Sequence, residues 1–249
     1  MQRTHVPTID ARYWTGITLA SIFGTNLGDL YANDSGLGLL GGVPILIALF
    51  ALVYLVERFD KSRHDAYYWL CIIIMRTGAT NIADYMCGRR HMGIDRWQAS
   101  LGLGLAIAAL AWWAVRRDHA QNGPNVRKLL PDTDPPYWVT MLLAGIFGTV
   151  LGDACQKALG QWQGAVLLSA ALVVVLLLYR KGVVGWIAGY WLVVATARSA
   201  GTAIGDFLAE NKSLNIGLTN CTLMTGAIFI AILVLWRSRK DVEPVATAA

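Results

Sequence analysis

Gly24-Thr25-Asn26-Leu27-Gly28-Asp29 returns three more times along the chain. The copies are Ala79-Thr80-Asn81-Ile82-Ala83-Asp84, Gly148-Thr149-Val150-Leu151-Gly152-Asp153 and Gly201-Thr202-Ala203-Ile204-Gly205-Asp206. The shared pattern is small-Thr-x-aliphatic-small-Asp. A Tyr-Trp pair precedes each copy (Tyr13-Trp14, Tyr68-Trp69, Tyr137-Trp138, Tyr190-Trp191), and each Trp stands fifteen residues before its Asp. Self-similarity this strict marks a repeat architecture. Eight residues before the four Asp stand Ser21, Arg76, Gly145 and Arg198. Copies two and four thus carry Arg where copies one and three carry a small residue. Copies one and three also share Ile-Phe-Gly-Thr, at 22–25 and 146–149. The order is A-B-A-B: a unit duplicated, diverged, and duplicated again.

The motifs lie in a chain of 249 residues that is 55% hydrophobic and only 15% charged. A soluble domain carries about 25% charged residues. Crossing a bilayer takes a helix of about 20 apolar residues. Eight segments approach that length, over 13–32, 36–57, 66–87, 97–115, 137–158, 161–179, 183–208 and 214–236. The expected fold is all-α and polytopic, with eight transmembrane helices as four two-helix repeats. With two helices per repeat, the chain re-enters on the same side each time and the four motif helices run parallel. That implies a pseudo-two-fold axis along the membrane normal, unlike the inverted repeats of many transporters. The breakers Asn122-Gly123-Pro124 and Pro131 to Pro136 divide the chain into an N-terminal half, 1–120, and a C-terminal half, 121–249.

Loop charge sets the expected orientation. One side collects fourteen basic residues, from Arg3, Arg12, Arg58, Lys61 and Arg63 through Arg116, Arg117, Arg127, Lys128, Arg180 and Lys181 to Arg237, Arg239 and Lys240. The other holds five: Arg89, Arg90, Arg96, Lys157 and Lys212. Both termini are therefore expected in the cytoplasm. Residues 1–12 are too polar for a cleaved signal, so the first apolar segment is expected to stay. The net charge of +5 is explained by orientation, and no nucleic-acid partner is expected. Cys71, Cys87, Cys155 and Cys221 lack metal-like spacing. His5, His64, His91 and His119 all fall in loops or tails, which argues against an intramembrane haem or imidazole-bound metal. No nucleophile–base motif or phosphate loop occurs. Neither an enzyme nor a cofactor is expected.

In the motif, small residues four apart (Gly24/Gly28, Ala79/Ala83, Gly148/Gly152, Gly201/Gly205) let helix backbones approach in lipid. Thr and Asp, also four apart, share a face about 100° away. Close packing through the small faces turns Thr25, Thr80, Thr149, Thr202, Asp29, Asp84, Asp153 and Asp206 toward a common interior. Arg76 and Arg198 lie two turns from the Asp level, about 12 Å by helical rise, near mid-membrane. Trp and Tyr at the interface place the Asp about 22 Å further along. Ionisable residues at such depth are a functional-site hypothesis. Four Asp against two Arg leave two negative charges, which invites a small cation, with protons competing. Asn26 and Asn81 add amide oxygens, and this hard-oxygen set suits Mg²⁺, Ca²⁺, Mn²⁺ or Na⁺. Each Arg is expected to bond a carboxylate or helix carbonyls. Asp29 and Asp153, whose own helices carry Ser21 and Gly145 where the others carry Arg, are expected to be the unpaired carboxylates.

The type-B motifs, Arg76-Thr-Gly-Ala-Thr-Asn-Ile-Ala-Asp84 and Arg198-Ser-Ala-Gly-Thr-Ala-Ile-Gly-Asp206, resemble the R-x-x-G-A-T-x-G-D pattern of a family of uncharacterised bacterial membrane proteins built from four two-helix repeats. The type-A motifs depart from that family's G-E-T-x-x-D, with Thr25 and Thr149 where Glu is usual. The resemblance covers nearly the whole chain and implies the architecture and a bacterial inner membrane. Function follows from the buried charges: transport of a small cation or cationic solute, or else a non-transporting protein that binds a lipid or partner, with the Asp/Arg network purely structural.

Overall fold

A computed structural model describes residues 6–60, 64–122 and 133–240. Among the basic residues that set the orientation, Arg3, Lys61, Arg63, Arg127 and Lys128 lie outside them, as does His5. The described residues are helical, without strands: α1 (Ala11–Asp34), α2 (Gly38–Gly41), α3 (Val43–Phe59), α4 (Asp65–Cys87), α5 (Arg96–Asn122), α6 (Pro135–Leu159), α7 (Gln161–Arg180), α8 (Trp186–Glu210) and α9 (Leu218–Lys240). The eight expected segments are these helices, the second interrupted at Gly41-Gly42. There Pro44 restarts the helix in its first turn, where a missing N–H costs nothing. Gly42 is needed for close approach: its carbonyl accepts from the Tyr31 hydroxyl (3.2 Å), and a Cβ there would stand 2.2 Å from the Tyr31 ring.

Local chemistry starts the inner helices. Asp10 caps α1 by accepting from the N–H groups of Arg12 and Tyr13, and Asp134 caps α6 by accepting from that of Tyr137. Both stand three residues before the repeat tyrosine and satisfy otherwise orphaned first-turn donors. The eighth segment begins later than hydropathy suggests, because Asn215 and Gly217 take positive φ (48° and 78°) before α9.

The motif helices α1, α4, α6 and α8 form an inner ring in that cyclic order, each packed on two neighbours. The outer helices follow one rule. α3 lies on α4, α5 on α6, α7 on α8, and α9 closes the circle on α1, so every outer helix packs on the inner helix of the next repeat.

The small residues explain the ring. A Cβ on Gly24 would meet Arg76 Cγ at 2.5 Å, and one on Gly148 would meet Arg198 Cβ at 2.5 Å. One on Gly201 would meet Ser21 Cβ at 2.3 Å. At the fourth interface the roles reverse: Ala79 carries the Cβ, and a Cβ on Gly145 would stand 2.8 Å from it. Each contact of this layer therefore contains one glycine, and the expected small-xxx-small faces do bring the helices together.

Five helical stretches are long and apolar enough to cross a membrane: Gly38–Phe59, Arg96–Asp118, Pro135–Leu159, Gln161–Arg180 and Leu218–Leu235. Four of these are outer; only 6% of the α2–α3 stretch is buried, against 67% of α6. The inner helices α1, α4 and α8 are 23 to 25 residues long but too polar by composition, because they face the axis behind the outer ring. The molecule is a polytopic helical membrane protein. All four cysteines are free and buried in helices.

Candidate functional site

The axis of the inner ring is built in layers, one for each turn of the repeat. At its first level the hydroxyls of Tyr13, Tyr68, Tyr137 and Tyr190 close a cyclic hydrogen-bonded ring, with O···O distances of 2.8, 2.8, 2.8 and 2.6 Å. All four tyrosines are at most 3% exposed. The expected interfacial anchors therefore point inward, and the adjoining tryptophans are buried too. Trp14 packs on Tyr179 of α7, Trp69 on Phe229 of α9 and Trp138 on Phe50 of α3. The aromatic pair joins inner ring to outer ring instead of marking the lipid boundary.

Twelve residues beyond each tyrosine stands the motif threonine, about 18 Å along the helix. There the four threonine hydroxyls surround one guanidinium. Arg76 Nη1 donates to Thr80 (2.9 Å), Thr149 (2.8 Å) and the Gly145 carbonyl (3.4 Å); Nη2 donates to Thr25 and Thr202. Thr25 and Thr202 donate their own protons to the carbonyls four residues back, those of Ser21 (2.8 Å) and Arg198 (3.2 Å). Thr80 does the same at 3.3 Å. Spending the proton on the helix turns the oxygen lone pairs inward. With a tyrosine ring at one end and a threonine ring further on, all four inner helices must run parallel, as the repeat implied.

Arg198 leaves the same level in the opposite direction, donating to Ser21 Oγ and Met141 Sδ, each at 3.3 Å. Both arginines are 1% exposed. Neither forms an ion pair among the described residues. Of the expected partners, a carboxylate or helix carbonyls, Arg76 has the Gly145 carbonyl and Arg198 has neither; hydroxyls and a thioether take the other positions. The reason is reach: the Asp level lies two turns, about 12 Å, from the arginine Cα atoms, whereas the threonines lie one turn away.

Asp29, Asp84, Asp153 and Asp206 form the last layer, within electrostatic range of one another. Asp206 is buried and the other three are half-buried. Asp153, expected to be unpaired, is bonded to Arg96 Nε (3.1 Å) and lies 3.7 Å from Lys157 Nζ. Arg96 opens α5 of the neighbouring repeat and reaches α6 because outer helices pack on the next inner helix. Asp29, Asp84 and Asp206 have no side-chain hydrogen bond or ion pair among the described residues. No group of three or more carboxylate, imidazole or thiol side chains comes together at metal-ligating spacing among the described residues.

Asn26 and Asn81 do not join this set as expected. Asn26 turns to the neighbouring helices: its amide donates to Cys221 Sγ of α9 at 3.1 Å, and its Oδ1 lies against Gly205 of α8. Asn81 stands at the equivalent position on α4, buried, with neither amide atom bonded. One helical step of 100° beyond the threonine carries the side chain off the axis. The tyrosine ring went unread in the sequence, although the invariant spacing from each Tyr to its Thr carried it.

No curated protein and no solved structure matches the chain. A family model described as a repeat of unknown function, DUF347, matches at residues 12–61, 136–181 and 189–241. These stretches correspond to the first, third and fourth repeats. The second lies outside the matched stretches, yet α4 supplies its tyrosine, threonine and arginine to the same layers as the others. The matched stretches cover more than half of the sequence, and the chain belongs to the DUF347 repeat family.

Proposed function

We propose that the protein is a membrane transporter of a small cation or cationic solute, received at the Asp layer. The observation that carries this is the state of Asp29, Asp84 and Asp206. These carboxylates are gathered at one end of the helix axis without a bonded partner among the described residues: Arg96 is engaged by Asp153, and the Arg76 guanidinium is held at the threonine level by neutral hydroxyls. Carboxylates in low dielectric take a cation, a proton or water. The threonine hydroxyls keep Arg76 from neutralising them, so the layer stays open to a mobile charge. The reading assigns no chemical step to the protein. In the bacterial inner membrane that the resemblance implies, the fourteen-to-five distribution of basic residues supports cytoplasmic termini, with the Asp layer toward the periplasm.

A second reading, a non-transporting protein that binds a lipid or partner, draws on one observation. Beyond the Asp layer the axis is occupied in turn by Arg76, Arg198 and the tyrosine ring.

The deciding measurement is flux into proteoliposomes, with thermal stabilisation, across Na⁺, Mg²⁺, Ca²⁺, Mn²⁺, organic cations and a pH series. Asn is nearly isosteric with Asp and removes only the charge. Asp29→Asn, Asp84→Asn and Asp206→Asn should abolish the response with the fold intact. Asp153→Asn, whose carboxylate is already paired, should weaken it less. No response in the parent, with parental stability in all four variants, would leave the second reading ahead.

A further inference from the structure

We propose that the axis holds a small monovalent anion of chloride size, bound by Arg198 between the threonine cage and the tyrosine ring. A guanidinium presents five N–H donors. Arg76 places four of its own on four hydroxyls. Among the described residues Arg198 makes two bonds, each at 3.3 Å, one of them to the Met141 thioether, a weak acceptor. Its Nε, like that of Arg76, is buried without a partner among the described residues. The side chain is 1% exposed and has no ion pair among the described residues. Arg76, of the same sign, lies within electrostatic range, and the four tyrosines face Arg198 from the other side. Their protons are committed within the closed ring, so the ring offers a lid and no counter-charge.

A guanidinium left without an ion pair is costly in a low-dielectric interior. At the arginine level α1 carries Ser21 and α6 carries Gly145, and the two guanidiniums diverge, Arg76 toward the threonines and Arg198 toward Met141. The spare donors of one guanidinium call for one negative charge, and the enclosed axis calls for a small one. The site does not rest on the cation reading: Arg198 stands eight residues before Asp206, about 12 Å along α8.

The test is a melting curve, read by tryptophan fluorescence, on protein purified in sodium gluconate. Sodium chloride, bromide or nitrate replaces gluconate at fixed sodium, ionic strength and pH. A saturable rise in melting temperature with the small anions is expected, since a ligand that binds only the folded state stabilises it. Arg198→Gln should remove the rise. Should that variant fail to fold, Met141→Glu carries the test, because it sets a carboxylate beside Arg198 Nη2. It should melt higher than the parent in gluconate and lose the anion response. A parent insensitive to anion identity, or a Met141→Glu variant that keeps the full response, would overturn the proposal. Sodium is constant throughout, so neither outcome bears on the Asp layer.

Discussion

The contact between Ala79 and Gly145 can be inverted and its energy worked out. Gly145→Ala places a Cβ 2.8 Å from Ala79 Cβ. Both atoms are fixed to helix backbones, so α4 and α6 must separate by several tenths of an ångström. Overpacking of this kind costs about 1–3 kcal/mol, offset by about 1 kcal/mol of helix propensity gained over glycine. The net loss is about 1 kcal/mol. Ala79→Gly alone loses about 1 kcal/mol of propensity and leaves a methyl-sized gap. In the double variant the propensity changes cancel and the clash is gone. It also restores the arrangement of the other three interfaces, where a glycine of one helix faces a Cβ on the next. The double variant should therefore unfold at nearly the parental point and be more stable than either single. The coupling should be about 1–3 kcal/mol, within the range for residues in contact. Denaturant unfolding in detergent, followed through the ten tryptophans, measures all four corners. Additivity to within about 0.5 kcal/mol, the figure for independent sites, would refute the interdigitated packing.

Thr149→Val keeps the shape and removes one acceptor from Arg76, and should cost about 1.5–3 kcal/mol, the range for a hydrogen bond to a charged group. Thr77→Val, whose hydroxyl bonds only the Ile73 carbonyl, serves as the control; equal losses in unfolding measurements would dismiss the cage. Tyr13→Phe breaks two bonds of the tyrosine ring and should cost about 1–3 kcal/mol by leaving buried partners unsatisfied. Replacing all four tyrosines by Phe leaves no orphan and should cost far less than four times the single loss, a comparison that thermal unfolding makes directly. Cys71, Cys87, Cys155 and Cys221 are buried and should resist maleimide in the folded protein and react on denaturation, as mass spectrometry reads; labelling under native conditions would contradict the packing of α4, α6 and α9.

The inner ring was legible because its residues recur at helical spacing. Small residues four apart specify a face, and Thr and Asp four apart specify another at a known angle. Polar partners were less legible, since a spacing gives a level but not the direction in which a long side chain leaves it. Arg76 and Arg198 occupy equivalent positions and point opposite ways. One follows its own Thr80, while the other meets Met141, a residue outside the repeated motif. The Arg96–Asp153 pair joins different repeats and depends on which inner helix α5 covers, which no local pattern encodes. The tyrosines were misplaced because an aromatic pair at a helix start reads equally as a lipid-facing belt or as an inward ring.

Because every outer helix is seated on the next repeat and α9 returns to α1, the assembly has no seam. A linear solenoid grows or shrinks by whole units at its ends; this circle admits only one count. A fifth unit would spread the axis until four hydroxyls no longer met, and a circle of three would lack the fourth hydroxyl of both the tyrosine ring and the threonine cage. Two units are another matter. A polypeptide ending after α5 exposes the seat on α1 and lacks one for α5, and a second copy of itself supplies both. The A-B-A-B order thus has a natural forerunner in a half-length subunit that paired across a two-fold axis, later joined into one gene. Cutting the present chain between α5 and α6 should give two fragments that reassemble when made together.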